Sequence, residues 1–396
     1  MIPLALHGAG RATGFAEGSR RTLLRLRDPG DTPAHEADAA LVRSSEQAVL
    51  ASSQGFGASV AIGTEDRGSG DNGRSLFLDG RFSHLSPGDI LALDVPTGRV
   101  RVLWRVKSRH NAFLVTERCD HLCLMCSQPP RNVDDGWIID EIRDCLPLID
   151  PATETVGFTG GETLLDADRF ISLLGEVGRV LPRAGVHVLT NGRAFSRAEV
   201  VKAWAALRHP DLWAGIPIYS AVDTIHDHVV QSQGAFDETV LGVLRMKDAG
   251  QRVEIRVVLH ALTAPRLAET CAWLARNLPF VDHVALMGME DTGFALANHA
   301  RLWMDPVDYG PALTDGVAVL TEAGIRTSIY NLPLCVLPQT VRPWAVRSIS
   351  DWKNDRPEVC SPCTAAERCA GFFTTGRTKF SRGIQPIAGQ VATVSS

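Results

Sequence analysis

Three closely spaced cysteines constrain the folding of this 396-residue chain more than any other feature. Cys119, Cys123 and Cys126 follow an apolar run at 112–115 that is typical of a β-strand. Their thiolates converge only if the loop curls around a ligand, and soft sulfur suits zinc or an iron–sulfur cluster. Structural zinc usually has four protein ligands, so His121 would have to be the fourth. A cubane held by three cysteines leaves one iron open to a small molecule, and the spacing favours this catalytic arrangement.

A second short sequence predicts another part of the same site. Gly160-Gly161-Glu162 ends an apolar run that begins at Val156. Glycines let the backbone approach a ligand closely, and a carboxylate pairs with a cation. Such a sequence alone is usually a turn, but after a three-cysteine loop it indicates a binding site.

Strand-like and helical segments alternate after the cysteine loop. This alternation predicts an α/β fold with a parallel sheet and crossover helices. The strand-like runs are 186–192, 216–220, 253–259 and 283–288, with helical stretches at 197–207 and 239–249. In barrels of this type the ligand lies at the carboxyl ends of the strands. We therefore expect one pocket lined by Thr190, Asn191, Ser220, Asp223, Arg256, Met287 and Glu290.

The C-x3-C-x2-C spacing after a strand resembles the radical S-adenosylmethionine (SAM) superfamily. The resemblance implies a partial (β/α)6 barrel over residues 109–310, with an amino-terminal β-rich accessory domain over 1–108 and a cysteine-rich extension over 311–396. It also implies a 4Fe–4S cluster on Cys119, Cys123 and Cys126, with SAM bound at the open iron.

The same resemblance implies roles for residues around SAM. Gly160 and Gly161 would lie along its methionine portion, and Glu162 would accept a hydrogen bond from its ammonium group. Ser220 would approach the ribose or carboxylate, and Arg256 the carboxylate, with Asn191 in the same pocket. Met125 stands where relatives often have an aromatic residue against adenine, and a thioether can still pack on a ring.

A second cysteine set lies near the end of the chain: Cys335, Cys360, Cys363 and Cys369. Four thiolates can close a tetrahedral zinc site or fill every iron of an auxiliary cluster, and the spacing does not separate the two. Radical SAM enzymes that act on peptides often carry extra clusters in this region. The resemblance therefore favours an auxiliary cluster, with zinc as the alternative.

Longer motifs look like the His-Xaa-Ser system radical SAM maturases of the HxsC type. They comprise 108–111 leading into 116–130, then 329–335, 348–354 and the Cys360-x-x-Cys363 segment. This resemblance implies a substrate peptide with His-Xaa-Ser repeats, a paired radical SAM protein and an electron donor. The reduced cluster would cleave SAM to a 5′-deoxyadenosyl radical that abstracts hydrogen from the peptide. The alternatives are a radical SAM enzyme acting on a small molecule or another protein, and a non-catalytic adaptor stabilised by zinc.

Composition argues against several other classes of protein. A net charge of −5 disfavours a general nucleic-acid binder, and no run reaches the roughly 18–20 apolar residues of a membrane span. The start has no basic segment of a secretory signal, so we expect a reducing cytoplasm and metal or redox roles for cysteines.

Three further expectations concern single segments. Cys145 and Cys271 lie at helical spacing with apolar residues and are expected in the core. His226-Asp227-His228 looks like a metal motif but is expected on a solvated loop or helix start. Strand-like runs at 75–78, 89–93 and 100–106 indicate that the amino-terminal segment is rich in β-structure.

Overall fold

The computed structural model describes residues 6–16, 21–63, 73–347, 356–373 and 381–389. The chain divides into two compact units. The first contains residues up to 112 together with 140–154 and 180–182, and the second contains 113–139, 155–179 and residues from 183 onward. The motif at 348–354 lies outside the described residues. Within them, no helix is long and apolar enough to cross a membrane.

The described residues of the first unit before residue 112 form eight strands and one α-helix. The strands are β1 (His7–Ala9), β2 (Arg11–Thr13), β3 (Thr22–Arg27), β4 (Asp38–Val42), β5 (Ala58–Ile62), β6 (Arg74–Leu78), β7 (Ile90–Asp94) and β8 (Arg99–Trp104), and the helix is α1 (Ser45–Ser53). They pair in the order β1-β8-β7-β3-β4-β5-β6-β2. The prediction of a β-rich amino-terminal segment is confirmed.

This sheet closes on itself at Gly10. The two ends of the strand order, β1 and β2, are separated in sequence by Gly10 alone. A side chain at Gly10 would meet the Phe77 carbonyl oxygen at 2.8 Å and the Leu76 and Leu78 methyl carbons at 2.8 Å. Only a residue without Cβ fits, and closure removes the free edges that would otherwise pair with other chains.

The second unit is built on a parallel sheet. Its strands are β9 (Ala112–Leu114), β10 (Thr155–Thr159), β11 (Gly185–Leu189), β12 (Leu212–Pro217), β13 (Arg252–Leu259), β14 (His283–Gly288) and β15 (Thr327–Tyr330). They lie in chain order, and every pair from β10 to β15 is parallel. The helices of the chain after α1 are α2 (Trp137–Cys145), α3 (Ala167–Val180), α4 (Ala198–Ala206), α5 (Asp223–Val230), α6 (Ala235–Asp248), α7 (Leu267–Asn277), α8 (Gly293–Ala297), α9 (His299–Leu302) and α10 (Gly310–Glu322).

This arrangement confirms the α/β fold, with two differences of detail. The sheet has seven strands, because β15 follows α10 and pairs with β14, in a segment expected to belong to the extension. Strand β12 also ends at Pro217, so Ser220 lies in the loop beyond the strand end.

The single-segment expectations have mixed outcomes. Cys145 and Cys271 are fully buried, as predicted for core thiols. The expectation for His226-Asp227-His228 is confirmed in part: the motif lies in the helix α5 and His228 is exposed, but the expectation is wrong for His226. This side chain is also fully buried, because α5 packs it against the Tyr219 ring at 5.6 Å and the Phe236 ring at 5.6 Å between centroids.

Replacement of Gly10 tests the closure of the first sheet. We expect Gly10→Ala to lower the free energy of unfolding by about 1–3 kcal/mol, since overpacking shifts strands on both sides. Gly80→Ala is the matched control, because a Cβ there meets nothing within 4 Å, and its effect should stay within about 0.5 kcal/mol. Urea unfolding followed by tryptophan fluorescence compares the two, and equal midpoints would contradict the closure argument.

Candidate functional site

The cysteine loop is held against the end of α5. Backbone N–H groups of Leu122 and Leu124 donate to the carbonyls of Val230 and Val229 at 3.2 and 2.9 Å. This anchors the loop segment that contains Cys123, whose side chain packs with the apolar group formed by Leu124, Met125, Tyr219, Val229, Val230, Ala235, Ala295 and Leu302. A buried wall therefore lies behind the three thiols.

The three thiols influence one another electrostatically. Burial raises the pKa of all three, to about 12 for Cys119. Negative charge on Cys126 and Cys119 raises the pKa of the Cys123 thiol further. The His121 N–H donates to Cys119 Sγ at 3.4 Å, which favours the thiolate. A metal centre would bind these side chains as thiolates, so its binding would have to displace their protons.

Gly160 and Gly161 place the cysteine loop on the end of β10. The N–H groups of Gly161 and Glu162 donate to the carbonyls of Thr116 and Arg118, both at 2.8 Å. A Cβ at Gly161 would lie 1.9 Å from the Arg118 oxygen, and one at Gly160 would lie 2.5 Å from the Thr116 oxygen. The glycines are thus required for contact between backbone segments, a reason that differs from the predicted approach of a ligand.

Glu162 is buried beside this loop, and its carboxylate accepts almost as many hydrogen bonds as it can. Thr190 Oγ1 donates to one oxygen at 2.5 Å and the Leu164 N–H donates to the same oxygen at 2.9 Å. The Asn191 N–H donates to the other oxygen at 2.6 Å. A carboxylate accepts about four hydrogen bonds, so about one position remains. Burial raises the pKa of Glu162 to about 7 against the effect of these donors, so a cation at the remaining position would favour the charged form.

An ion-pair network missed by the sequence analysis ties the loop to the residues after β11. Asn191 Nδ2 donates to one Asp120 oxygen at 2.6 Å, and an Arg193 terminal nitrogen (NH1) lies 3.2 Å from the other. Arg193 Nε also pairs with Glu238 at 2.5 Å. The sequence shows an acid, Asp120, next to Cys119 and a base, Arg193, just after a predicted strand. Their pairing could not be predicted, because the two residues are far apart along the chain.

The remaining predicted residues lie in different surroundings. Met125 is buried in the apolar group behind the loop. Ser220 is buried and its hydroxyl accepts a hydrogen bond from the Val222 N–H at 3.0 Å. Arg256 lies on β13 and pairs with Glu254 at 2.7 Å. The structure thus brings the cysteine loop, Glu162 and Asn191 into direct contact, whereas Ser220 and Arg256 contact their own neighbours.

Tyr219 is a further site residue that the sequence analysis did not single out. Burial raises the pKa of its phenol well above the usual value, charge on Cys123 adds to the rise, and Arg256 opposes it. Its ring belongs to the same apolar group as Met125. Tyr219 therefore belongs to the buried wall behind the cysteine loop and interacts electrostatically with both Cys123 and Arg256.

The four carboxyl-terminal cysteines surround one small cavity, whose lining includes Cys335, Cys360, Cys363 and Cys369. Backbone N–H groups of Leu334 and Gly371 donate to Cys369 Sγ at 3.4 Å, and the Ile387 N–H donates to Cys363 Sγ at 3.4 Å. Over the described ranges, which include both cysteine sets, no group of three or more His, Cys, Asp or Glu side chains is placed to hold a metal ion.

A family comparison matches residues 113–274 to the radical SAM superfamily. The matched segment is less than half of the 396 residues, but it contains both the cysteine loop and Gly160-Gly161-Glu162. The match supports this superfamily, which implies a 4Fe–4S cluster and SAM. A search of curated proteins found no match.

Several solved structures are similar in part. Streptococcus suis SuiB bound to S-adenosylmethionine is 12% identical with a TM-score of 0.45, covering 56% of this chain and 50% of SuiB. The structure of anSMEcpe with bound AdoMet is 14% identical with a TM-score of 0.43, and the match covers 55% of this chain and 62% of anSMEcpe. A radical SAM methyltransferase from Sphaerobacter thermophilus is 14% identical with a TM-score of 0.45, and the match covers 67% of this chain and 74% of the methyltransferase. The chain spans about half the length of SuiB.

Gly161→Ala tests the docking of the cysteine loop. The new methyl group would displace the Arg118 carbonyl and move Cys119, so we expect the iron content after reconstitution to fall severalfold. Gly175→Ala is the control, because its Cβ makes only an ordinary 3.5 Å contact with Leu207. Iron and sulfide analysis of both proteins gives the answer, and full iron loading of Gly161→Ala would refute the docking argument.

Glu162→Gln tests the remaining acceptor position. A hydrogen bond to a charged group contributes about 1.5–3 kcal/mol, so we expect SAM affinity to fall about 10- to 100-fold. Equilibrium binding of SAM to the cluster-loaded protein measures the change. The half-exposed Glu269, on α7, supplies the control Glu269→Gln. If Glu162→Gln binds SAM with unchanged affinity while its cluster is intact, Glu162 does not contact SAM.

Proposed function

We propose that this radical SAM superfamily chain is a peptide maturase that reductively cleaves SAM and abstracts hydrogen from a peptide with His-Xaa-Ser repeats. One observation carries the catalytic part of the proposal. The loop of Cys119, Cys123 and Cys126 is docked by backbone hydrogen bonds on the end of β10, directly beside the buried Glu162.

The chain's own residues define where each group would be held. The three loop cysteines would bind a 4Fe–4S cluster and leave one iron open for SAM. Glu162 would accept the SAM ammonium group at its remaining position, next to Gly160, Gly161 and Asn191. Met125 would pack against adenine, and Ser220 and Arg256 would contact the ribose or carboxylate, as the family resemblance implies.

The surroundings of the loop suit radical chemistry. When bound, the reduced cluster and SAM would supply a 5′-deoxyadenosyl radical for hydrogen abstraction. The buried side chains of Leu124, Met125 and Tyr219 exclude water from the wall behind Cys123. A dry wall protects a reactive species from side reactions.

The carboxyl-terminal cysteines are proposed to bind an auxiliary 4Fe–4S cluster, with zinc as the alternative. The N–H donors to Cys363 and Cys369 support a site for thiolates of either kind. In the proposed division of the chain, 109–310 is the barrel, 311–396 is the extension that also supplies β15, and 1–108 is an accessory domain. The accessory domain would bind the peptide or the paired protein, or cover the barrel.

The proposed substrate and partners come from the family resemblance. The motif at 329–335, which runs from the end of β15 to Cys335 of the second cysteine set, is one of the segments that carry this resemblance. Asn331 in this motif has φ of 61°, a conformation that asparagine adopts more readily than most residues. The paired radical SAM protein and an electron donor would act with the chain in the cytoplasm, where reducing conditions preserve thiols.

Metal analysis and SAM cleavage test the catalytic proposal. Anaerobically purified protein should contain iron and sulfide, and it should form 5′-deoxyadenosine from SAM with dithionite. Cys126→Ala should reduce this product to background, whereas Cys145→Ala and Cys271→Ala remove buried core thiols and should retain it. A colourless zinc protein, or nucleoside formation by the variant lacking all three loop cysteines, would refute the proposal.

A synthetic peptide tests the substrate. With SAM, dithionite and the paired protein, a His-Xaa-Ser repeat peptide should change in mass, and a peptide of scrambled sequence should not. Nucleoside formation without any change in the repeat peptide would favour a small molecule or another protein as substrate.

A further inference from the structure

A larger cavity, here called the strand-end cavity, lies at the carboxyl ends of the last three strands of the parallel sheet. Its lining includes Leu259, the last residue of β13, together with Met289 after β14 and Asn331 after β15. It encloses about 680 Å³, part of which is open to solvent, and sites for small ligands have volumes of this order. Ligands bind at the carboxyl ends of the strands in barrels of this type, so the cavity lies where a substrate is expected.

The strand-end cavity shares residues with the surroundings of both cysteine sets. Leu302 and Met289 line it, and both pack in the apolar group behind Cys123. Pro333 and Phe372 line it as well, and the same two residues line the small cavity of the carboxyl-terminal cysteines. The cavity is therefore bordered by residues of both cysteine sites, although the two sites are far apart along the chain.

The segment that contains α8 and α9 forms one wall of the cavity and is bonded to the cysteine loop. The Phe294 N–H donates to the Cys126 carbonyl at 2.8 Å. Asn298 Nδ2 donates to the Leu124 carbonyl at 2.9 Å. A Cβ at Gly293, whose φ is 57°, would lie 2.6 Å from the Cys126 carbonyl oxygen. This wall and the cysteine loop are thus held in a fixed relation to each other.

The carboxyl-terminal extension forms another wall, and it is held by one acidic turn. Ser381 and Ile384 line the cavity. Ser381 Oγ donates to one Asp305 oxygen at 2.5 Å, and the Arg382 N–H donates to the other at 3.0 Å. The Arg382 side chain also pairs with Asp308. Bonds within the chain therefore fix this wall without any ligand.

Flat rings and thioethers make up much of the lining. The His299 ring stacks on the Trp303 ring, with centroids 5.4 Å apart at 12°, and so orients one of these lining residues. Aromatic rings and thioethers pack favourably against another flat ring. The lining residues of these two kinds are Met289, Trp303, Met304, Tyr309, Phe372 and Phe373.

One anionic side chain is added to this apolar lining. Among the described residues that line the cavity, Asp291 alone is charged. Its Oδ1 lies 3.0 Å from His299 Nδ1, and 10% of its side chain is exposed. A carboxylate accepts about four hydrogen bonds, so the bond with His299 leaves capacity for a further N–H donor. The cavity thus combines surfaces that suit a flat ring with an acceptor that suits an N–H group.

We propose that the strand-end cavity binds the histidine side chain of the substrate peptide, with Asp291 as the acceptor of an imidazole N–H. The inference rests on the proposed function and deepens it, because it assigns a place to the histidine of the His-Xaa-Ser repeat. Imidazole is a flat ring with N–H donors, and its protonated form adds a positive charge opposite the carboxylate. A phenylalanine side chain would suit the rings and thioethers but would offer Asp291 no donor.

A pair of peptides tests the role of Asp291. One has His-Xaa-Ser repeats and the other has phenylalanine in place of each histidine, and fluorescence anisotropy measures their binding to the cluster-loaded full chain with SAM. Wild type should prefer the histidine peptide by roughly tenfold or more, since a hydrogen bond to a charged group is lost with phenylalanine. Asp291→Asn should lose most of this preference.

Asp315→Asn is the matched control, because Asp315 is exposed on α10, and it should keep the wild-type preference. A general loss of structure would weaken binding of both peptides alike, so the ratio of the two affinities reports on Asp291 itself. If Asp291→Asn keeps the full preference for the histidine peptide, the inference is overturned.

Filling the cavity tests its location independently of Asp291. Ile384 is half-buried, and Ile384→Trp would place a larger side chain in the lining, so the affinity for the histidine peptide should fall roughly tenfold or more. Leu244→Trp, on the exposed side of α6, is the control and should bind as wild type does. Wild-type affinity in Ile384→Trp overturns the inference. If Asp291→Asn fails to fold, this variant decides.

A small probe separates this inference from the proposed function. If wild type binds neither peptide, the substrate assignment fails, and N-acetylhistidine methylamide then decides the role of the cavity. With SAM present to occupy the open iron, saturation-transfer NMR should detect this probe on wild type and not on Ile384→Trp. No transfer from wild type, or equal transfer from both proteins, overturns the inference. If wild type forms no 5′-deoxyadenosine, the proposed function fails, and the binding measurements still decide the cavity.

Discussion

The close backbone contact between the cysteine loop and the end of β10 is the constraint on which the candidate site depends. Two N–H groups of the Gly160–Glu162 segment donate to carbonyls of the loop, and no side chain can be inserted between them. This contact positions Cys119 and brings the buried Glu162 next to it. Without it, the loop and the strand end would be separate features, since only backbone atoms join them at this point.

Around this contact lies a network of charged and polar side chains. Asp120 in the loop is tied to Asn191 and Arg193 beyond β11, and Asn191 in turn donates to Glu162. Glu162 is buried, and a buried charge is stable only when it is paired or hydrogen-bonded, whereas Asp120 is exposed. The network therefore fixes the loop relative to two strand ends, whereas the apolar wall of Met125 and Tyr219 shields its inner side.

The role of Arg256 depends on the residues that surround it on the same face of the sheet. Arg256 was expected at the SAM carboxylate. Its guanidinium pairs with Glu254, and its charge also lowers the pKa of the Tyr219 phenol. Glu254 also binds two histidines from other strands. A guanidinium has several donors, so the pair with Glu254 leaves nitrogen atoms for a second acceptor.

Local pattern in the sequence determined the cysteine spacing, the Gly-Gly-Glu turn, the alternation of strands and helices, and the burial of Cys145 and Cys271, because each depends on residues close together along the chain. Only the tertiary structure decided the contacts of Asp120 with Arg193, 73 residues apart, the burial of His226, the closure of the first sheet at Gly10 and the addition of β15. These features arise where distant segments meet, and spacing along the chain carries no information about which side chains share a face after folding.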